Sequence, residues 1–197
     1  MKPTLLMLAL GFLCSFHFGV KAQVQKANFG IYETVKNKDI PKSVIEILKA
    51  QKIQPETNLQ SSMIGYLQKS ANVTFPIRCE KENLKLVKTV YPVDKGGDYF
   101  GIFAVRHVPV IVNADIEETV VRGKNVEIHF NLKGARKWDE MTRKNKGGIV
   151  AFAIDDQVYT APIIMAEINS GVAIINGLKD EAMAKKISDQ LNNSIRK

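Results

Sequence analysis

Between Asn125 and Leu132 apolar and polar side chains alternate strictly. Val126, Ile128, Phe130 and Leu132 fall on one side, and Glu127, His129 and Asn131 on the other. Period two over this length predicts a half-buried β-strand. From Lys133 to Lys146 the period changes. Ala135, Trp138 and Met141 recur every third residue among Lys, Arg, Asp and Glu, which predicts a short amphipathic helix with one apolar stripe. Gly147-Gly148 ends it, since glycine takes the left-handed cap conformation without a Cβ penalty. Ile149 to Ile154 is an unbroken apolar run of strand length, predicted near the centre of a sheet. Asp155-Asp156 reads as a turn whose carboxylates bond to nearby backbone. Val158 to Met165 reads as a second strand, in which Pro162 points to an edge or a bulge. Gly171 to Ile175 reads as a third.

After this stretch, Met183, Ile187, Leu191 and Ile195 recur every fourth residue and predict a helix over 180–195. Asp180 and Glu181 stand at its positive end, and Arg196 and Lys197 follow its negative end. Before the stretch the pattern is less regular. Phe29 to Val35 is a short strand or turn. Val44, Ile45 and Leu48 give Pro41 to Gln51 a helical face. Leu59, Met63, Ile64 and Leu67 give Pro55 to Ser70 helical spacing, interrupted by Gly65. Val73 to Cys79, Leu84 to Tyr91 and Tyr99 to His107 read as strands, the last rich in aromatic and β-branched residues. Arg122-Gly123-Lys124-Asn125 reads as a hairpin turn. With helices at about 133–146 and 180–195 over one face of a mostly antiparallel sheet, the fold expected is an α+β two-layer sandwich. The expected division is a signal peptide over 1–22, a small α+β region over 23–95 and an α+β domain over 96–197.

The N-terminus adds a compartment. Lys2 is followed by an apolar run from Leu5 to Val20. Val20-Lys21-Ala22 then places small residues where a signal peptidase reads them, with Gln23 as the expected new N-terminus. The run is shorter than the roughly 20 residues of a bilayer span. A cleaved signal and a periplasmic or secreted mature chain are therefore expected. Cleavage removes Lys2 and Lys21 and no acid, so the formal charge falls from +8 to +6. The charge reads first as a solvated surface with a modest basic excess; the alternative is an affinity for anionic lipid surfaces or acidic polypeptides. Of the two cysteines, Cys14 lies in the signal, which leaves Cys79 as a half-buried strand residue without a partner.

No catalytic constellation emerges. Cys-x-x-Cys, His-Glu-x-x-His, Gly-x-Ser-x-Gly and a Gly-rich phosphate loop after a strand are all missing. Ser194 to Lys197 matches Ser-x-x-Lys only by spacing, at a chain end that cannot exclude water. His107 and His129 with scattered acids do not define a metal site. Asp155-Asp156 lacks the flanking oxygen ligands that Ca²⁺ needs. Trp138, on the apolar stripe, is expected in the core. No aromatic-basic motif points to nucleic acid.

The residues of the central stretch do carry a family pattern. Gly134-Ala135 opens its helix, Trp138 and Thr142-Arg143 follow, and then come Ala151, Asp155, Val158, Ala161-Pro162-Ile163, Ile175-Asn176-Gly177 and Glu181-Ala182. With Val110 to Thr119 ahead of it, this pattern resembles the head part of the first periplasmic domain of the SecD and SecDF protein-export family. Asp156 departs from it, because the family has glycine there. The family continues into membrane helices where this chain ends at Lys197, so a soluble stand-alone relative is expected. The resemblance implies a non-enzymatic protein, without cofactor or metal, that contacts polypeptide chains or envelope export components. The alternative is an envelope ligand-binding module that reuses the fold. The strand carrying Gln157, Tyr159 and Pro162 is the expected polypeptide-contact edge, because unpaired backbone at a sheet edge accepts an added strand.

Overall fold

In the computed structural model, residues 26–195 are described. The expected signal, Cys14, the expected cleavage point at Gln23, and Arg196 and Lys197 lie outside them. In chain order the elements are β1 (Phe29–Glu33), α1 (Lys42–Ala50), β2 (Gln54–Pro55), β3 (Met63–Gln68), β4 (Ile77–Cys79), β5 (Leu84–Pro92), β6 (Tyr99–Arg106), β7 (Ile111–Val112), β8 (Ile116–Arg122), β9 (Asn125–Phe130), α2 (Leu132–Lys144), β10 (Val150–Ile154), β11 (Gln157–Thr160), β12 (Val172–Ile175) and α3 (Glu181–Ile195).

The strands form two sheets. The larger runs β2-β3-β6-β5-β11-β10-β1-β7, with β4 also on β5; the smaller runs β12-β9-β8. Every strand pairing is antiparallel except that of β5 with β11. This is the expected α+β class with a mostly antiparallel sheet. It differs from a single sheet in that the central stretch serves both: β9 and β12 build the small sheet, while β10 and β11 enter the middle of the large one. The alternation in β9 explains the first placement, since Val126, Ile128 and Phe130 are buried and the residues between them are half exposed. The unbroken run in β10 explains the second. All five of its residues are buried, Phe152 and Ile154 in one apolar cluster and Ala151 and Ala153 in another.

The first of these clusters joins β9 and β10 to Trp138 and Met141 of α2 and to Ala184, Ile187 and Leu191 of α3. The Trp138 ring lies 5.9 Å from both Phe130 and Phe152. A third cluster, with Val44 and Leu48 of α1, Ile64, Leu67, Leu86 and Ile102, lies under the N-terminal elements. β1 sits between β10 and β7, so residues before position 95 complete the sheet that residues after it begin. The expected boundary at 95–96 falls between β5 and β6, which are hydrogen-bonded neighbours.

Three local expectations change. Pro55 to Ser70 is not a helix: it contains β2 and β3. Gly65 decides this, because it lies against the Gln54 carbonyl, where an added Cβ would be 2.8 Å from that oxygen. A register shift between Met63 and Gly65 brings Ile64 and Leu67 to the same core despite their odd spacing. The strand expected over Val73 to Cys79 is confined to Ile77–Cys79. The strand expected over Val158 to Met165 is regular only to Thr160, and Gln157 is not on an edge. Gln157 and Val158 pair with Lys88 and Thr89, since β4 covers only residues 84–86 of β5 and leaves the next positions open to β11.

Asp155-Asp156 is a turn, as expected, but its carboxylates reach remote partners instead of nearby backbone. Both residues are left-handed, at φ 50° and 61°. Asp155 Oδ1 accepts from Asn28 N at 2.9 Å, and Asp156 pairs with the buried Lys85 ammonium, which also donates to Tyr32 Oη at 3.0 Å. An aspartate at a position that favours glycine is thus held by an ion pair to the N-terminal half of the chain.

Candidate functional site

The three expected contact residues are separated by the fold. Gln157 is paired within the sheet. Tyr159 lies in a hollow of about 220 Å³ between β5 and β11, with Thr89, Tyr91, Val93 and Phe103. The hollow exists because β5 leaves its regular course. Its register with β6 shifts between Lys88 and Pro92, and Thr89 Oγ1 donates to Tyr91 O at 2.7 Å while accepting from Gly101 N at 3.0 Å. Burial pushes the Tyr159 hydroxyl above its usual pKa, and Tyr91 and Asp155 add to the shift.

Pro162 lies on the other side of the same segment, in a larger groove of about 390 Å³. Trp138, Phe152 and Ile164 are its buried lining. Pro162 and Ile163 border it on one side, Val172, Ala173 and Ile174 on the other, with Ile168 and Ser170 at one end. The lining is thus apolar except for Ser170 and Asn176. The groove follows the outer edge of β12, which pairs with β9 on one side and has no strand on the other among the described residues. Ile163 is 57% exposed and Ile174 47% exposed. Trp138 is only 2% exposed, so the expected core residue is also part of the groove lining. Its Nε1 is buried without a hydrogen-bond partner among the described residues.

Local hydrogen bonds hold the borders apart. Gly147 N donates to Ile164 O at 2.7 Å, and Ile164 N donates to Gly148 O at 2.8 Å. Ile168 N donates to Thr142 Oγ1 at 2.9 Å. These bonds fasten 164–168 to the end of α2, where Gly147 takes φ 76°. Across the groove, Phe130 N donates to Gly171 O at 2.9 Å and sets the start of β12. Thr160 Oγ1 donates to Asn176 Oδ1 at 2.8 Å and ties β11 to the end of β12.

Val172, Ile174 and Ile168 were missed as site residues. A signal was available: β12 is apolar at every position, whereas β9 beside it alternates. The outer-facing Val172 and Ile174 therefore needed either a cover or a ligand.

Among the described residues the charged groups elsewhere do not converge on one place. His129 Nε2 lies 3.4 Å from Glu127 Oε2, which Arg122 Nε approaches at 3.5 Å. His107 Nε2 lies 3.1 Å from Arg78 Nη1. Among the described residues no group of three or more His, Cys, Asp or Glu is placed to hold a metal. Cys79 is buried, and burial, with Glu82 and Glu80 adding, pushes its thiol up. No helix among the described residues is long and apolar enough to cross a membrane.

Residues 105–195 match the family described as SecDF, P1 head subdomain, and this range contains the whole groove. Over 63 residues the chain is 41% identical to the protein translocase subunit SecDF of Thermus thermophilus, a stretch covering 32% of this chain and 9% of that protein. Over 112 residues it is 30% identical to the protein translocase subunit SecD of Rhodothermus marinus, covering 53% and 18% respectively. The chain thus spans less than a fifth of the length of either relative. A solved structure described as that of "a membrane component SecDF that enhances protein export" aligns with a TM-score of 0.48 at 20% identity, covering 85% of this chain and 63% of that one.

Proposed function

We propose that this chain, whose residues 105–195 carry the SecDF P1 head pattern, acts in protein export outside the cytoplasm by contacting extended polypeptide, without chemistry of its own. One observation carries the reading: within the matched range, an apolar groove runs along the unpaired edge of β12. An extended segment laid there finds backbone donors and acceptors on β12. Its apolar side chains reach toward Trp138 and Phe152. Pro162 keeps its place in the expected contact set as part of the border, and Val172 and Ile174 replace Gln157 as the strand that receives the chain. Tyr159 stays in the set through the smaller hollow across the 158–164 segment.

The groove is open and has no deep aromatic pocket, and ordering a flexible partner consumes much of the interaction. The affinity expected is no better than micromolar, about −8 kcal/mol. Weak, reversible contact suits a passing chain.

Site-specific photo-crosslinking tests the proposal. A photoreactive residue in place of Ile174 should crosslink to a reduced, unfolded model protein, and one in place of exposed Lys185 on α3 should not. Equal yields at the two positions, or none at Ile174, would overturn the groove as the contact. Saturable binding of a sugar in the groove would hand the site to the ligand-binding alternative.

A further inference from the structure

One basic stretch covers α2 and the turn after it. Residues 132–146 hold six cations, Lys133, Arg136, Lys137, Arg143, Lys144 and Lys146, against only Asp139 and Glu140. Two of the six are engaged: Lys137 Nζ lies 2.6 Å from Asp115, and Lys144 Nζ lies 4.0 Å from Glu33. Lys133, Arg136, Arg143 and Lys146 are exposed and make no ion pair among the described residues. With Trp138 and Met141 inward, Lys133, Arg136 and Arg143 fall on the solvent side of α2 together with the exposed Glu140, and Lys146 stands in the turn just past its end, the row spanning about 20 Å.

Apolar side chains stand at both ends of this row. Leu132, the first residue of α2, is 72% exposed. At the other end, the segment hydrogen-bonded to Gly147 and Gly148 carries Met165, 77% exposed. Recognition of a discrete acidic ligand calls for cations converging on one place, whereas these are strung out. Dispersed cations with exposed apolar side chains among them match a broad anionic surface over a short apolar depth.

We infer that the outer face of α2 docks on anionic phospholipid, with Lys133, Arg136, Arg143 and Lys146 at the headgroups and Leu132 dipping below them. This does not rest on the groove, which opens on the inner side of the same helix. It places the head against a membrane surface while the groove stays available to a chain.

The test reads α2 locally, so that membrane affinity of the apolar segment 5–20 does not enter. In the full chain carrying Cys14→Ser, with Cys79 buried, Leu132→Cys is labelled with an environment-sensitive fluorophore. A second chain carries the label through Leu59→Cys, on the β2–β3 connection. Vesicles of phosphatidylcholine alone are compared with vesicles holding phosphatidylglycerol in equal part. The expected result is a blue shift at position 132, on the anionic vesicles only, weakened by salt, with none at position 59. Arg136→Glu with Arg143→Glu should raise the vesicle concentration for half the shift by about tenfold or more. Equal shifts on both kinds of vesicle, or a shift untouched by the two substitutions, would overturn the inference. So would no shift with vesicles but a shift with soluble polyglutamate, which would assign the face to acidic polypeptide.

Discussion

Gly134→Ala sets two physical effects against each other, and the structure decides between them. Replacing glycine by alanine inside a helix ordinarily stabilises it by up to about 1 kcal/mol. Gly134 is the third residue of α2, so propensity alone says that the substitution helps. A Cβ there, however, would lie 2.2 Å from the carbonyl oxygen of Asp115 and 3.0 Å from its carbonyl carbon. Ordinary contact needs roughly 1 Å more. Asp115 cannot yield cheaply. Its carbonyl accepts from Asn131 N at 3.1 Å, and its buried carboxylate accepts from Val112 N at 3.0 Å and Lys137 Nζ at 2.6 Å. The helix cannot yield cheaply either. Asn131 caps it through Gly134 N at 3.0 Å, and Trp138 one turn on is wedged between Phe130 and Phe152. Overpacking of this kind costs about 1–3 kcal/mol, and a disturbed cap adds about 1 kcal/mol. After the propensity gain, a net loss of about 1–3 kcal/mol is expected. For a chain of this length each kcal/mol lowers Tm by about 2–4 °C. Urea unfolding followed by fluorescence of Trp138, the sole tryptophan, measures it directly. Unchanged or increased stability would refute the close contact between α2 and the 113–115 turn.

Three further outcomes follow from the packing and the titrations. Trp138→Ala should cost about 3–5 kcal/mol in urea melts followed by circular dichroism, the usual cost of truncating a buried large aromatic; a loss below about 1 kcal/mol would mean that the ring packs against nothing essential. In a Cys14→Ser chain, Cys79 should react with a disulfide reagent only slowly at pH 8 and quickly in urea, since burial both shields the thiol and disfavours its thiolate; fast reaction of the native protein would contradict this. The hydrogen bond from Tyr66 to the Glu56 carboxylate pushes the phenol from 10.0 up to about 12, so its contribution to stability is complete below pH 10 and lost as pH rises through about 12. In a spectrophotometric titration Tyr66→Phe should remove a step near the upper value, and loss of a step near 10 instead would refute it.

The sequence was most legible where one face of an element meets the core and the other meets water. The alternation of β9, the stripe of α2 and the stripe of α3 each match one period, and each element lies within about two residues of its expected bounds. It was least legible where tertiary contacts set the conformation. Leu59, Met63, Ile64 and Leu67 fit a helical stripe, but Leu59 is exposed, and the close approach of Gly65 to Gln54 is a contact that no local pattern records. The candidate site was half legible. Pro162 could be placed in the contact set from strand chemistry, whereas Trp138 was expected only in the core. The open edge of β12 could not be read, because whether a strand is an edge depends on partners remote in sequence: Gln157 meets Lys88, whereas among the described residues Val172 to Ile175 meet only β9. Asp156 looked like a departure from pattern and turned out to be paired with Lys85, a residue 71 positions away.

The central claim is that an extended chain lies along β12 over Trp138. Titration of the ¹⁵N-labelled protein with a reduced, unfolded model protein, followed by amide and indole shifts at low and moderate salt, tests it most directly. The account predicts saturable shifts at the amides of 172–176 and 163–168 and at the Trp138 indole N–H, with an apparent Kd of micromolar or weaker. No shifts at millimolar partner, or shifts confined to residues before Lys95, would contradict it.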